Sequence, residues 1–132
     1  MPDATDMGIL EHELAHALGL LMAAPPGTRA HILRHTERNW SMEPAWPGKA
    51  DPWAEAASTV AGLVLRPGCA SQADRDFVAL LDFDLTVKAI RFANEVVAPA
   101  LDAVTLEEKL QMLRVISKEG GIRLTKPQAA VH

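Results

Sequence analysis

Residues 10–21, LEHELAHALGLL, limit what this chain can fold into more than any other stretch. Leu10, Leu14, Ala17, Leu18 and Leu21 recur at three- and four-residue steps, the spacing of an amphipathic helix with one apolar stripe. His12 and His16 stand four residues apart, so a helix stacks them on one face and can aim two imidazole nitrogens at one cation. Glu13, about 100° further round, stays beside that cation, close to any water held there. His12-Glu13-Leu14-Ala15-His16 is thus an HExxH pattern, two metal ligands with a built-in base. Gly19 shares the histidine face, where a missing side chain lets another segment approach, and the leucines take the opposite side. Unpaired imidazoles in so apolar a stretch are costly, which favours a metal site over paired surface histidines.

Two histidines do not complete a catalytic zinc site, which usually takes three protein ligands and leaves a fourth position for water. An extension to HExxHxxGxxH would put a third histidine at position 22; Gly19 fits, but Met22 stands there, a thioether and a poor zinc ligand. The remaining candidates are Asp74, Glu55, His35 and Glu37. His31 and His35 are also four apart, but the prolines and glycine before them favour a solvated loop. Glu55 fits equally as an acid near a helix N-terminus, and Asp74 as a capping residue.

The first helix is predicted over about 5–22, stopped by AAPPG at 23–27 because prolines lack the N–H a helix needs. Residues 28–49 are poor in helix signals. RAHILRH could be a short strand and NWSMEPAWPG an extended arm, the best place for a small sheet. A second helix opens at Asp51-Pro52 and runs through the almost uncharged WAEAASTVAGLVL to RPG at 66–68, apolar enough to be buried nearly all round. A third starts at Ser71, with Asp74 completing a capping box, and carries Phe77, Leu81, Leu85, Phe92 and Val96 down to Pro99. A fourth starts at Thr105 with Glu108 and closes at Gly120-Gly121. The pattern predicts a mainly α (α+β) fold: about four helices with a short β segment after the first. It is one domain over 1–132 with frayed ends at 1–4 and 122–132. Trp40, Trp46 and Trp53 cluster around the proline-rich stretch, as loop-packing aromatics or a partner surface.

Net charge is −4 with no block of like charge, which argues against nucleic acid or an anionic membrane as partner. No run approaches the roughly 20 apolar residues of a membrane span, and the first residues lack the pattern of a signal peptide. Cys69, the single cysteine, cannot form an internal disulfide and suits a reducing cytoplasm; it reads as a small half-buried loop residue.

Taken together, HELAHA at 12–17, the partly β segment 28–49, EAASTVAGLVL with Ala61-Gly62, and GCASQADRDFVALL at 68–81 resemble the peptidase domain of FtsH-type AAA proteases. The resemblance covers roughly residues 5–85, and only HExxH in it is highly specific. It implies a compact zincin-like domain without the ATPase, since the chain has no ATP-binding Gly-rich loop. It also implies Asp74 as third zinc ligand. Ala15 stands where that family prefers glycine, and the loop reads S-Q-A-D rather than S-x-D, which leaves Asp76 as an alternative. A rival resemblance is to the ImmA/IrrE type of regulatory zinc peptidase, often found near phage repressors. HELAHAL and AEAASTVAGLVLRP are similar to its two metal helices, and it would make Glu55 the third ligand. Glu55 is a residue out of register for that role, and few residues precede His12.

The resemblance implies a Zn²⁺-dependent metallopeptidase with a peptide or protein substrate, Glu13 as general base and no organic cofactor. Residues 28–46 could then offer an edge strand to an extended peptide. The competing expectation is a catalytically inactive zincin-like metal-binding or protein-interaction module, possible in a phage or prophage setting; Glu13, which such a module does not need, favours the hydrolase.

Overall fold

The computed structural model describes residues 4–126. Helix α1 (Ala4–Ala23) is followed by the hairpin β1 (Arg29–Arg34) and β2 (Trp40–Ala45), then α2 (Pro52–Leu65) and a 3₁₀ turn at Pro67–Cys69. Next come α3 (Gln72–Ala79), α4 (Phe83–Phe92), α5 (Ala98–Ala103), α6 (Leu106–Glu119) and β3 (Gly121–Thr125). This is a mainly α fold with a small three-stranded antiparallel sheet of order β2-β1-β3. No helix among the described residues is long and apolar enough to cross a membrane.

The core forms around α1. Leu10, Leu14, Ala15, Ala17, Leu20 and Leu21 are all at most 1% exposed, and α2, the sheet, α5 and α6 pack around the helix. The expected single leucine stripe is therefore replaced by burial on nearly every side. Such a helix gains from apolar residues on all faces, so its few polar ones must be partnered.

Helix α2 is the close partner of α1. Asp51 caps its start by accepting from the Trp53 N–H, and Pro52 occupies the first turn. Its inner face is small: Ala54, Ala56, Ala57, Val60 and Ala61 are at most 2% exposed. A Cβ on Gly19 would come within 2.8 Å of the Ala57 carbonyl oxygen and 3.0 Å of the Ala61 Cβ. Gly19 thus lets α1 and α2 meet backbone to backbone, as its place on the histidine face suggested.

Segment 28–49 does form the small sheet. β1 is central, pairing Ile32 with Met42 on one side and Ile122 on the other, and it buries Ala30 and Ile32 completely. The second neighbour was not expected. Residues 122–125, read from sequence as part of a frayed end, are strand; Gly120, at a left-handed φ of 82°, ends α6 and turns the chain into it. Ala4 begins α1, whereas residues 1–3 and 127–132 of the expected frayed ends lie outside the described residues.

The long third helix is also corrected. It breaks between Ala79 and Phe83, where Asp82 caps a new start by accepting from the Leu85 N–H. Pro99 then fails to stop the chain. A π turn at Ala93–Val97, in which the Ala98 N–H bonds the Ala93 carbonyl, carries the path from α4 into α5 around the missing proline donor. The tryptophans form no common surface. Trp40 is a core residue, Trp46 packs against the core, and Trp53 stacks edge-on to Phe92 at 5.3 Å under Lys88.

Candidate metal centre

His12, Glu13 and His16 are 2%, 8% and 6% exposed, and one ligand atom from each lies within 4.8 Å of the others. This buried group can hold a metal ion. It sits where α1 passes α2. A Cβ at Gly62 would overlap the His16 imidazole, so the ring occupies space that only a glycine on α2 leaves free.

Two backbone carbonyls fix the rings. His12 Nδ1–H donates to the Arg66 carbonyl at 2.7 Å, and His16 Nδ1–H donates to the Ser58 carbonyl at 2.7 Å. A carbonyl oxygen only accepts, so in each neutral ring the proton belongs on Nδ1 and the lone pair on Nε2. Ser58 is locked in turn, its hydroxyl donating to the His16 carbonyl at 2.8 Å. Ring nitrogens held in this way are the usual outer support of a metal-binding histidine.

The two Nε2 atoms end 3.0 Å apart, and Asp74 Oδ2 lies 3.4 Å from His12 Nε2 and 3.3 Å from His16 Nε2. Three acceptor atoms thus converge with no N–H among them once the rings are neutral. Bonds of about 2.0–2.1 Å to a tetrahedral ion would set its ligands about 3.3 Å apart, the spacing found here. One oxygen of Asp74 thus meets both ring nitrogens. Glu13 stands beside this triangle.

Charge follows this geometry. Burial resists the ionised form of Asp74, but hydrogen bonds from the histidine rings outweigh it and hold the carboxyl far below the usual range. Those bonds need a proton on Nε2 and so belong to protonated rings rather than neutral ones. Burial also pulls His16 down, yet Asp74 and Glu13 together raise it. Glu13 is raised, chiefly by burial and further by Asp74, against the lowering pull of His16 and His12. A carboxylate moved up towards neutrality is better matched to proton transfer.

Asp74 is the capping residue that the sequence suggested. Ser71 caps α3 by accepting from the Asp74 N–H at 3.1 Å, and Asp74 Oδ2 accepts from the Ser71 N–H at 3.3 Å. That same oxygen faces the histidines. The short turn at Pro67–Cys69 brings this cap across from the end of α2.

The other candidates lie elsewhere. Glu55 is partly exposed and does not line the cleft above the histidines. Along the chain it stands three residues before Ser58, whose carbonyl meets His16, and eleven before Arg66, whose carbonyl meets His12. Asp76 is exposed and accepts from Gln72 at 2.8 Å. His35 lies in the hairpin turn against Ser41 at 2.8 Å, Glu37 is exposed in that turn, and His31 is partly buried in β1. Cys69 is exposed rather than half-buried.

The cleft over the group has a volume of about 320 Å³, with Trp40, Met42, Ser58 and Asp74 in its walls. Trp40, Ser41 and Met42 of β2 line it, and among the described residues β2 pairs on one side only. A larger hollow of about 710 Å³ beside α6 contains neither histidine. Ser58 and Arg66 left no sign in the sequence, because both meet the rings through backbone carbonyls. Gly62 did leave a signal, a lone glycine inside an otherwise buried helix. No protein-family model, curated protein or solved structure matches the chain.

Proposed function

We propose that the protein is a zinc-dependent hydrolase of peptide bonds, with His12, His16 and Asp74 as ligands and Glu13 as general base. The observation that carries this reading is the triangle of Nε2, Nε2 and Oδ2 atoms at 3.0–3.4 Å, with both ring protons committed to carbonyls on the far side. Nitrogen and oxygen donors at this spacing, three in number, suit zinc with a position left open. Of the two resemblances, the FtsH-type is favoured because Asp74, and not Glu55, stands at the histidines.

Zinc bound there supplies a Lewis acid that polarises a carbonyl and makes water a nucleophile near neutral pH. His12 and His16 keep their lone pairs aimed inward because the Arg66 and Ser58 carbonyls hold their protons outward. Glu13 takes a proton from the attacking water on its carboxylate and returns it to the departing amine. β2, which lines the cleft and is an edge strand among the described residues, would offer backbone groups to an extended peptide. A reducing compartment such as the cytoplasm suits the single exposed thiol of Cys69.

Metal analysis of the purified protein and its variants tests the reading. Wild type should carry one zinc per chain, lost in His12→Ala and Asp74→Ala and kept in Glu55→Ala. Glu13→Gln should keep zinc and lose turnover of a peptide library by about 10²-fold or more. Loss of zinc in Glu55→Ala with retention in Asp74→Ala would overturn the ligand set. Zinc bound without any peptide cleavage would leave the inactive metal-binding module.

A further inference from the structure

Three hollows meet at Trp40. The metal cleft and a smaller hollow of about 260 Å³ share Glu13, Arg38, Trp40 and Cys69, and the smaller one also reaches Ile9. Trp40 lines the 710 Å³ basin as well, together with Asp6 at the start of α1. Asp6, Ile9 and Glu13 follow at three- and four-residue steps, so they share one face of α1. The hollows therefore line up along that face, from Glu13 to Asp6, seven residues or about 10 Å.

The far end of this path has a distinct chemistry. Its floor is apolar, with Trp40 and Leu113 each 8% exposed and Ile116 1%. Its rim carries three cations, Arg34, Arg114 and Lys118, against one acid, Asp6. Arg34 lies over the Trp40 ring at 5.7 Å. Arg114 and Lys118 are exposed and four residues apart on α6, a like-charge pair that repels unless an anion lies near it. Basin volume and composition match those of ligand pockets, an apolar body with a few convergent charges.

We propose that this basin binds an apolar residue next to a carboxylate, in an extended peptide that reaches back to Glu13. Extended chain advances about 3.3 Å per residue, so the apolar-acidic element falls about three residues from the bond at Glu13. The substrate class is thus a peptide with a hydrophobic residue beside an acidic side chain or a free C-terminus. The position of the cleaved bond rests on the peptidase reading; the basin's preference does not.

Binding to zinc-loaded Glu13→Gln protein tests this without turnover. Fluorescein-labelled hexapeptides are compared that differ only in ending Leu-Glu-Ala, Leu-Gln-Ala or Leu-Lys-Ala, each as free acid and as amide. The Glu peptide should bind about tenfold tighter than the Gln peptide, with Lys weakest. The gap should shrink in about 0.5 M salt. Arg114→Glu/Lys118→Glu should abolish or reverse the ranking, and Arg34→Gln should narrow it, with circular dichroism reporting the fold. If the gap survives amidation, the side chain is the carboxylate read; if amidation removes tight binding from all three, it is the C-terminus. Equal binding of all six peptides, or a ranking unchanged in the double variant, overturns the proposal. Wild type that shows the ranking but cleaves none of the peptides would sink the peptidase reading and leave the basin's specificity standing.

Discussion

His12 and His16 sit in the core at 2% and 6% exposed, with each outer nitrogen bonded to a carbonyl at 2.7 Å and a glycine on α2 making room for one ring. Asp74 stands instead on α3, an eight-residue helix with no buried residue, and its contacts to the two rings are 3.3 and 3.4 Å. Beyond it, Leu80 and Phe83 are 87% and 80% exposed. One half of the centre is thus fixed by packing that also holds the fold together, while the other depends on a helix cap. Changes on the histidine side should therefore cost both metal and stability, and changes on the aspartate side mainly metal.

Two glycines give the sharpest contrast. Gly62→Ala puts a methyl group into the His16 ring, whereas a Cβ on Gly68, in the turn leading to α3, meets nothing within 4 Å. Gly62→Ala should destabilise by about 1–3 kcal/mol, the usual cost of overpacking, and should abolish stoichiometric zinc. Gly68→Ala should leave both within error. Urea titration and metal analysis of the pair check this; zinc retained in Gly62→Ala would mean the ring has freedom the packing does not suggest.

Next in size is the cap. Ser71→Ala removes the acceptor for the Asp74 N–H and should cost about 1 kcal/mol. It leaves every ligand in place, so zinc affinity should fall by roughly tenfold, as when an outer partner of a ligand is lost. Competition with a chelator measures it. Unchanged affinity would show that Asp74 is held by the ion alone.

The same asymmetry decided what could be read from the sequence. The histidine helix was legible because its constraints are local: HExxH spacing, the helix period and Gly19 all lie within one segment. Capping boxes at Ser71 and Thr105 were legible for the same reason, and so was the left-handed glycine ending α6. What failed depends on distant partners. β3 is strand because β1 offers it an edge from some ninety residues away, and Arg66 and Ser58 contribute only carbonyls. Pro99 misled because a π turn absorbed it. Glu55 and Asp74 remained rivals in the sequence because only folding sets Asp74 Oδ2 3.3 and 3.4 Å from the ring nitrogens and leaves Glu55 out of the cleft lining.

Glu11 joins the histidine side to the rest of the molecule. It accepts from Lys109 Nζ on α6 at 2.8 Å and from Arg66 Nε at 3.3 Å, so it steadies the residue whose carbonyl holds His12. Its carboxyl is lowered below the ordinary value, chiefly by the hydrogen bond from Lys109, against the effect of burial. A group depressed on folding contributes above its unfolded pKa of about 4.3 and loses that contribution as pH falls through the folded value. Glu11→Gln should therefore lose up to about 1 kcal/mol at pH 7, and the two proteins should converge once pH has fallen below the folded value of Glu11. A gap that persists in acid would assign the effect to shape rather than charge.

The smallest effect should come from the exposed side. Leu80, Phe83, Val87 and Ile90 form an apolar stripe on one face of α4 and the turn before it, 87%, 80%, 38% and 39% exposed. A side chain that stays in water gains nothing from folding, so Leu80→Ser/Phe83→Ser should change stability by no more than about 0.5 kcal/mol. The same double variant at Leu10 and Leu14, each at most 1% exposed, would remove the core. Measured at two protein concentrations, the α4 variant also reports whether the stripe is covered in solution. Wild-type stability that falls on dilution, with the double variant indifferent to it, would show a partner copy on this face. The aspartate side of the centre would then be packed after all, and the contrast between its two halves would hold for the isolated chain alone.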